Sequence, residues 1–323
     1  MKNVTHLRVT LMAGVLVTAA ACTVPAEQDD ATESVSGALA SRFDRDGQQA
    51  WFHDEGDSFG FFHTYDAFSA CGGKRKIHVL VPRDYEANND RYPVIYMNDG
   101  NTSFWRGGIG NRTWGVQKTL GDLGGAIERP IVVAIEPRDR EAEYTYASWA
   151  GPVRPCCGLP DYAREVATCL KPWMDAHYRT RPAAASTGIV GSSHGGLAAY
   201  WMASRYPATF GFAAAMSPSF WAGLGGSRVR DSELVAPVRG ALGARPRPSF
   251  WIDWGLRRSN GSSDNVVEAL ATDTAKEMVA ALKELGYGSS ELATLEDPVG
   301  GHDEDAWAYR FGEFVKWRLG RGR

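Results

Sequence analysis

The sequence lacks two features that would define a class at once: a long apolar run and a basic tract. No apolar stretch in its 323 residues reaches the roughly 18–20 residues that a membrane-spanning helix needs. The longest cluster of Lys and Arg is Lys74-Arg75-Lys76, and the formal net charge is −3. A chain with mixed acids and bases and no basic surface run is not expected to bind nucleic acid.

Cysteine is also scarce, and its pattern does not indicate a metal site. The chain has 5 cysteines but no Cys-x-x-Cys repeat and no His-x-x-x-His pair, so we expect neither a metal nor another cofactor. If Cys22 is lipidated, Cys71, Cys156, Cys157 and Cys169 remain, and four cysteines allow three pairings. Because a bond between adjacent cysteines is strained, we expect Cys169 to pair with Cys156 or Cys157.

The N-terminus has the pattern of an export signal. A basic start is followed by the apolar stretch Leu11 to Ala21 and then by Cys22. This is similar to a bacterial lipoprotein signal peptide, whose cleavage leaves the cysteine as a lipid-bearing N-terminus. Ordinary signal-peptidase cleavage remains the alternative. Both alternatives predict export across the bacterial inner membrane. Lipoprotein processing would leave the protein anchored at the cell envelope by its lipid, as its only membrane attachment. Ordinary cleavage would give a periplasmic or secreted protein.

Three segments are predicted along the chain. Residues 1–22 form the signal peptide, residues 23–49 form a polar, acidic tether without sustained periodicity, and residues 50–323 form one domain.

Short β-rich runs alternate with amphipathic helices in this domain, which is typical of an α/β sheet. Phe61–Ala70 and Lys76–Pro82, with Cys71-Gly72-Gly73 between them, predict an antiparallel hairpin. Continuous apolar runs such as Ile131–Ile135 predict buried parallel strands. We therefore expect an α/β fold with a mostly parallel, doubly wound sheet and an antiparallel N-terminal hairpin. In such sheets reactive groups gather at the carboxyl ends of the strands.

The motif Gly191-Ser192-Ser193-His194-Gly195 has the form G-x-S-x-G. It lies between a β-rich run, Thr187–Val190, and a helix-like run, Leu197–Tyr206. A nucleophile elbow needs this arrangement, because the strand must turn sharply into a helix and only glycine lets the neighbouring backbone pass so close. The motif predicts Ser193 as a catalytic nucleophile.

Chain order selects the catalytic base. In an α/β-hydrolase the triad follows the order Ser, then Asp or Glu, then His. Six of the seven histidines precede Ser193 or adjoin it, which leaves His302. Its position in Val299–Asp305, a turn before the last helix, would allow the imidazole to reach Ser193.

The triad acid is expected after the strand Ser249–Trp254, where three carboxylates compete. Asp264 lies in a Gly/Ser/Asn loop with the reach to orient an imidazole, so it is the favoured acid. Asp253, at the strand end, and Glu268, in or near the next helix, are the alternatives.

The oxyanion hole needs two backbone N–H groups. One should belong to His194, the residue after the nucleophile. The other should come from the turn Asn98–Asn101 after the strand Val94–Met97, with Asn101 favoured over Gly100. Neither assignment depends on a side chain.

Substrate contacts are predicted from aromatic side chains on loops near these strand ends. Trp149, Trp221 and Trp254 would border the cleft, where an aromatic rim suits a sugar face or an aromatic acyl group. The proline-containing segment Gly151–Pro160 would form a stiff flap over the site.

Five ordered segments carry a resemblance that is more specific than the elbow alone. They are Tyr92–Gly100, Arg140–Tyr144, Gly191–Gly196, Ser217–Trp221 and Gly300–Asp303. Together they resemble the putative esterase family of α/β-hydrolases, which includes feruloyl and acetylxylan esterases, enterochelin esterases, S-formylglutathione hydrolases and secreted mycolyltransferases.

This resemblance implies an α/β-hydrolase fold with Ser193 as nucleophile, His302 as base, and amides near Asn101 and His194 as the oxyanion hole. The family usually has its acid two or three residues after the strand-ending glycine, where this chain has Leu256-Arg257-Arg258. An insertion that brings Asp264 back to the imidazole would restore the triad.

The resulting hypothesis is an exported serine esterase that acts through a Ser-His-Asp triad and an acyl-enzyme on a small-molecule or glycan ester. The substrates considered are carbohydrate, aromatic-acyl and siderophore esters. An acyltransferase with the same triad is the first alternative. A non-catalytic binding lipoprotein of the same fold is the second, suggested by the displaced acid.

Overall fold

The computed structural model describes residues 40–241, 247–258 and 264–322. The side chains of Asp264 and Asn265 are not described. The predicted signal peptide with Cys22, and the predicted tether up to residue 39, lie outside the described residues.

The described residues contain one sheet in the order β1-β2-β3-β4-β6-β5-β7-β8-β9-β10. The strands are β1 (Ala40–Arg45), β2 (Gln48–His53), β3 (Gly60–Phe68), β4 (Arg75–Pro82), β5 (Val94–Met97), β6 (Ile131–Ile135), β7 (Thr187–Ser192), β8 (Phe212–Met216), β9 (Ser249–Gly255) and β10 (Leu292–Asp297). β1 to β4 are antiparallel, β4 is antiparallel to β6, and β6 to β10 are parallel. The mostly parallel sheet with an antiparallel N-terminal hairpin is thus confirmed.

Helices cover both faces of this sheet. They are α1 (Gly100–Ser103), α2 (Val116–Leu123), α3 (Arg140–Glu143), α4 (Leu159–Glu165), α5 (Lys171–His177), α6 (His194–Arg205), α7 (Ala236–Gly240), α8 (Asp264–Glu284) and α9 (Glu304–Leu319). A π-helical turn, Val166–Leu170, joins α4 to α5. Within the described ranges, no helix has the length and apolar character needed to cross a membrane.

Two hydrophobic cores lie on opposite faces of the sheet. One packs α4, α5, α6 and α8 against the strands, and the other packs α2 and α9. The side chains of β5 and β6 are buried along their whole length, as expected for parallel strands covered on both sides. This double burial fixes the strands whose carboxyl ends carry the candidate site.

The N-terminal end of the sheet differs from the sequence prediction. Part of the predicted tether, residues 40–49, belongs to the antiparallel pair β1 and β2. The turn between them is Asp46-Gly47, with φ of 52° and 74°, and Asp-Gly is favoured in two-residue hairpins because both positions need positive φ. The tether prediction rested on polar composition, but an exposed edge strand can be polar and still pair through its backbone.

The disulfides also differ from the prediction. Cys71 is bonded to Cys169 and Cys156 to Cys157, so the expected bond from Cys169 to Cys156 or Cys157 is wrong. Cys71 lies in the turn after β3, and Cys169 lies on the π-helical turn, with their Cα atoms 5.6 Å apart. This distance is ordinary for a disulfide, and it arises from a tertiary contact that spacing along the chain does not reveal.

The two disulfides should contribute unequally to stability. Cys71–Cys169 spans 98 residues, whereas Cys156–Cys157 joins neighbours. A cross-link stabilises mainly by restricting the unfolded chain, so replacing both Cys71 and Cys169 by Ser should lower the free energy of unfolding by about 2–5 kcal/mol. The matched variant with Ser at 156 and 157 should lose much less. Denaturant titration of both variants tests this, and equal losses would contradict it.

Candidate active site

Ser193 occupies the sharp turn between β7 and α6. Its φ of 55° and ψ of −124° are strained for a residue with a side chain, and its N–H donates to Met216 O at 3.0 Å. A Cβ on Gly191 would lie 2.3 Å from Gly195 O, so no larger residue fits there. This is the nucleophile-elbow geometry that the motif predicts.

A cavity of about 500 Å³ opens beside this turn, at the carboxyl ends of the parallel strands. It brings together Ser193, His302 and the predicted oxyanion residues Asn101 and His194. The rest of its wall comes from several loops and helix starts: Asp99, Thr102, Gly107, Gly108, Ile109, Arg140, Trp149, Ser192, Trp221, Val267, Glu304 and Trp307.

The carboxylate that contacts the predicted base is Glu268. Its Oε2 lies 2.7 Å from His302 Nδ1, and both side chains are buried. The favoured acid, Asp264, is the first residue of α8, and Glu268 lies one turn further along this helix. The segment predicted as a loop at Asp264 is therefore already the start of this helix, and the alternative Glu268 takes the position at the imidazole that was predicted for Asp264.

The second oxygen of Glu268 is held by the strand ends. Oε1 accepts hydrogen bonds from Gly255 N at 2.5 Å and from Ser217 Oγ at 3.2 Å. The carboxylate is 1% exposed. A buried carboxylate with three donors has a fixed orientation, and hydrogen bonds to a charged group are the strong ones. Glu268 is thus arranged to hold His302 in one tautomer and one ring orientation.

Arg310 on α9 forms hydrogen bonds with residues at and near these strand ends. Its guanidinium is fully buried and donates to Ser217 Oγ at 2.8 Å, Asp253 Oδ1 at 2.7 Å and Gly301 O at 2.7 Å. Burial raises the pKa of Asp253, and the charge of Arg310 opposes that rise. Asp253 also accepts from Ser217 N at 3.2 Å. Asp253, an alternative acid in the sequence analysis, therefore binds Arg310 and the Ser217 amide and not the imidazole.

The two predicted oxyanion donors, the N–H groups of His194 and Asn101, lie at the starts of α6 and α1, before the first hydrogen bonds of each helix. Gly196 and Leu197 both donate to Ser193 O, so the N–H of His194 precedes the first bonds of α6. Thr102 N–H donates to Asp99 O, so the N–H of Asn101 likewise precedes the first bond of α1. Both residues line the cavity, as an oxyanion hole requires.

Polar contacts hold the loop after β5 against the elbow. Asp99, in the left-handed region with φ of 58°, pairs through both oxygens with Arg140 at 2.7 and 2.8 Å. Asn98 Nδ2 donates to Gly195 O at 2.8 Å, and Tyr162 donates to Asn98 Oδ1 at 2.6 Å. These bonds fix the position of Asn101 relative to Ser193.

The hydroxyl of Ser193 has a neighbour that the sequence analysis did not identify. Ser193 Oγ lies 3.3 Å from Ser219 Oγ, and Ser219 N donates to Ser193 O at 3.0 Å. Ser219 is completely buried. The segment Ser217–Trp221, singled out by resemblance, thus contacts both Ser193 and Glu268.

Two of the three predicted cleft tryptophans line the cavity. Trp149 and Trp221 pack edge to face at 5.5 Å, and His194 lies 4.9 Å from Trp149. Burial lowers the pKa of His194 to about 3, so its ring is neutral at ordinary pH. Trp254 was misplaced by the prediction. Its indole is buried off β9 and donates to Glu296 Oε2 at 2.8 Å, and it does not line the cavity described above.

Among the side chains that the structure describes, no group of three or more His, Cys, Asp or Glu residues is arranged to hold a metal ion. The chemistry available at the cavity is that of a hydroxyl, an imidazole, a carboxylate and backbone amides. This combination suits acyl transfer through a serine.

A family model described as "Putative esterase" matches residues 69–317, most of the chain. The chain belongs to this esterase family. The family is one of esterases, so the chain is a carboxylic ester hydrolase.

Two curated proteins are similar in sequence to this esterase. Bacillus subtilis YbbA is 21% identical over 262 residues, which cover 78% of this chain and 95% of YbbA. Esterase Rv1288 of Mycobacterium tuberculosis is 26% identical over 150 residues, which cover 46% of this chain and 30% of that longer protein.

Solved structures share the fold at lower identity. An IroE-like serine hydrolase from Shewanella oneidensis has a TM-score of 0.59 at 18% identity, with 80% of this chain and 79% of that chain covered. The siderophore hydrolase EstA from Aspergillus nidulans has a TM-score of 0.60 at 16% identity, with 90% and 99% covered. The esterase domain therefore has the α/β-hydrolase fold.

Proposed function

We propose that this esterase hydrolyses carboxylic esters through a Ser193–His302–Glu268 triad and a covalent acyl-enzyme. The observation that carries the proposal is that an elbow serine shares one cavity with a histidine whose Nδ1 is bound by a buried carboxylate. Glu268 here takes the role of triad acid that the sequence predicted for Asp264. A chain with this arrangement has the three groups that serine hydrolysis requires.

In the first half-reaction, Ser193 Oγ turns from Ser219 toward His302 and attacks the ester carbonyl carbon. The bond from Oγ to carbon forms while the hydroxyl proton moves to His302 Nε2. The amides of Asn101 and His194 stabilise the oxyanion, and Glu268 stabilises the imidazolium. When the tetrahedral intermediate collapses, the carbon–oxygen bond to the alcohol breaks and His302 returns the proton to that oxygen.

In the second half-reaction, water replaces the alcohol. His302 takes a proton from the water as its oxygen attacks the acyl carbon, and it then protonates Ser193 Oγ as the acid leaves. An acceptor hydroxyl in place of water would give an acyltransferase, and product analysis distinguishes the two. The binding-lipoprotein alternative was suggested by a displaced acid, and Glu268 removes that reason.

The substrate that suits this cavity is a small-molecule or glycan ester. A volume of about 500 Å³ lies in the range of ordinary small-molecule sites. The indoles of Trp149 and Trp221 offer flat apolar walls for an aromatic or sugar ring. Neighbours in fold include a protein described as a ferulic acid esterase and an enterobactin esterase from Shigella flexneri, whose esters are consistent with such walls.

Labelling with a fluorophosphonate tests the nucleophile. We expect one adduct per chain, located on Ser193 by peptide mass spectrometry, because Ser193 lies on the elbow in the same cavity as His302. Ser193→Ala should abolish labelling and lower kcat on p-nitrophenyl esters by about 10⁴-fold or more. Ser219→Ala is the matched control, since it removes the neighbouring hydroxyl, and it should still be labelled. A label on another residue, or full activity in Ser193→Ala, would refute the assignment.

We also propose that the protein is exported and held at the cell envelope by a lipid on Cys22. The support is the basic and apolar N-terminal pattern that ends in Ala-Cys. Membrane attachment would then involve the N-terminal cysteine alone, with the catalytic domain outside the lipid. Cleavage by ordinary signal peptidase, which gives a periplasmic or secreted protein, is the competing outcome.

Cell fractionation tests this localisation. In a bacterium with intact lipoprotein processing, the protein should fractionate with membranes, because several acyl chains hold a protein firmly where one alone binds weakly. Cys22→Ser should appear in the soluble fraction or keep its signal peptide. The Cys156→Ser/Cys157→Ser variant, which removes two cysteines elsewhere at little expected cost in stability, should remain with the membranes. Identical fractionation and migration of wild type and Cys22→Ser would disprove lipidation.

A further inference from the structure

Glu304 is a buried acid in the cavity that the proposed mechanism does not use. It is the first residue of α9, two positions after His302, and is only 3% exposed. Its Oε1 accepts a hydrogen bond from Ile109 N at 2.9 Å. Gly108 leaves room for this carboxyl group, since a Cβ there would lie 2.0 Å from Oε1 in its present position.

The other oxygen of this carboxyl group, Oε2, is buried, and no described protein atom forms a hydrogen bond with it. Burial raises the pKa of Glu304, because removal from water disfavours the charged form, and the hydrogen bond from Ile109 N opposes that rise. Leaving a charged acceptor unsatisfied costs more than leaving a neutral one. A donor on a bound ligand would remove that cost.

Other polar atoms of the cavity-lining residues also lack hydrogen-bond partners. The Nε1 atoms of Trp149, Trp221 and Trp307 and the Nε2 atom of His194 are buried without a hydrogen-bond partner among the described protein atoms. An indole N–H only donates, whereas a carboxylate only accepts. A hydroxyl group can do both, so it complements this mixture better than an ether, a ketone or a hydrocarbon.

We propose that Glu304 is a specificity-determining residue that accepts a hydrogen bond from a free hydroxyl on the acyl or alcohol part of the ester. This inference rests on the proposed esterase function, and it adds a polar subsite that the triad and the oxyanion hole do not require. Esters that carry the hydroxyl are bound through Oε2. Esters in which it is methylated lose this bond and leave Oε2 without a donor.

Two series of esters test the proposal. The acyl series is ethyl benzoate with hydrogen, hydroxyl or methoxy at the meta position, and the alcohol series is phenyl acetate with the same three groups. For each series, kcat/KM is measured for wild type and Glu304→Gln. The Gln carbonyl can keep the bond from Ile109 N, while its amide presents N–H donors in place of Oε2.

The expected result is that the hydroxyl-to-methoxy ratio of kcat/KM falls by about tenfold or more in Glu304→Gln in at least one series, since a hydrogen bond to a charged group is worth this much. Comparing ratios cancels the intrinsic reactivity of the esters. Asp305→Asn is the matched control. It removes a charge from the same helical turn, but Asp305 is exposed and paired with Arg112, so the ratio should not change.

Unchanged ratios in both series, within about twofold, would overturn the proposal. If no ester is hydrolysed, the proposed function fails, and the subsite is then tested separately by calorimetric binding of the intact esters to Ser193→Ala and to Ser193→Ala/Glu304→Gln. Weaker binding of the hydroxyl ester alone in the double variant supports the subsite, and equal binding overturns it. Thermal unfolding midpoints of all variants verify that they are folded.

Discussion

The candidate site depends on one buried ion pair, Arg310 with Asp253. Their side chains are completely buried, and the guanidinium also binds Ser217 Oγ and the carbonyl of Gly301, next to the base. Replacing a buried pair by apolar residues is often neutral for stability, so such a pair is better understood as a source of geometry. Here the geometry it fixes is that of β8, β9 and the loop that carries His302.

This ion pair also fixes the position of Glu268, the proposed triad acid. Ser217, held by Arg310, donates to Glu268 Oε1, and Gly255 at the end of β9 donates to the same oxygen. The acid is therefore aligned by two strand ends and presents Oε2 to His302. Glu268 can therefore act from helix α8, because hydrogen bonds from the two strand ends hold its carboxylate more rigidly than a carboxylate on a loop would be held.

Much of the fold and part of the site followed from the sequence because they depend on local chemistry. The elbow was predictable since only glycine satisfies its close contacts, and β5 and β6 were predictable since strands buried on both faces have apolar runs in the sequence. Glu268 was not chosen because helix starts are poorly marked when polar residues precede them. The bond between Cys71 and Cys169 joins turns 98 residues apart, and no spacing rule encodes such a contact.

The cavity itself shows why a site is harder to predict than a fold. Folding normally leaves few buried polar atoms without partners, yet several residues around Ser193 keep them. A sequence shows which residues are polar, but it does not show which of them remain unsatisfied after packing. Trp149 and Trp221 reached the cavity and Trp254 did not, although all three are tryptophans near strand ends.

The central claim is that Glu268 orients His302 for attack by Ser193. The most direct measurement is kcat on one p-nitrophenyl ester for Glu268→Gln and Asp264→Asn side by side, with circular dichroism to confirm folding. The account predicts a loss of roughly 10⁴-fold for Glu268→Gln, because the imidazolium loses its counter-charge, and turnover within about threefold of wild type for Asp264→Asn. A collapse of Asp264→Asn with near-normal turnover of Glu268→Gln would contradict it.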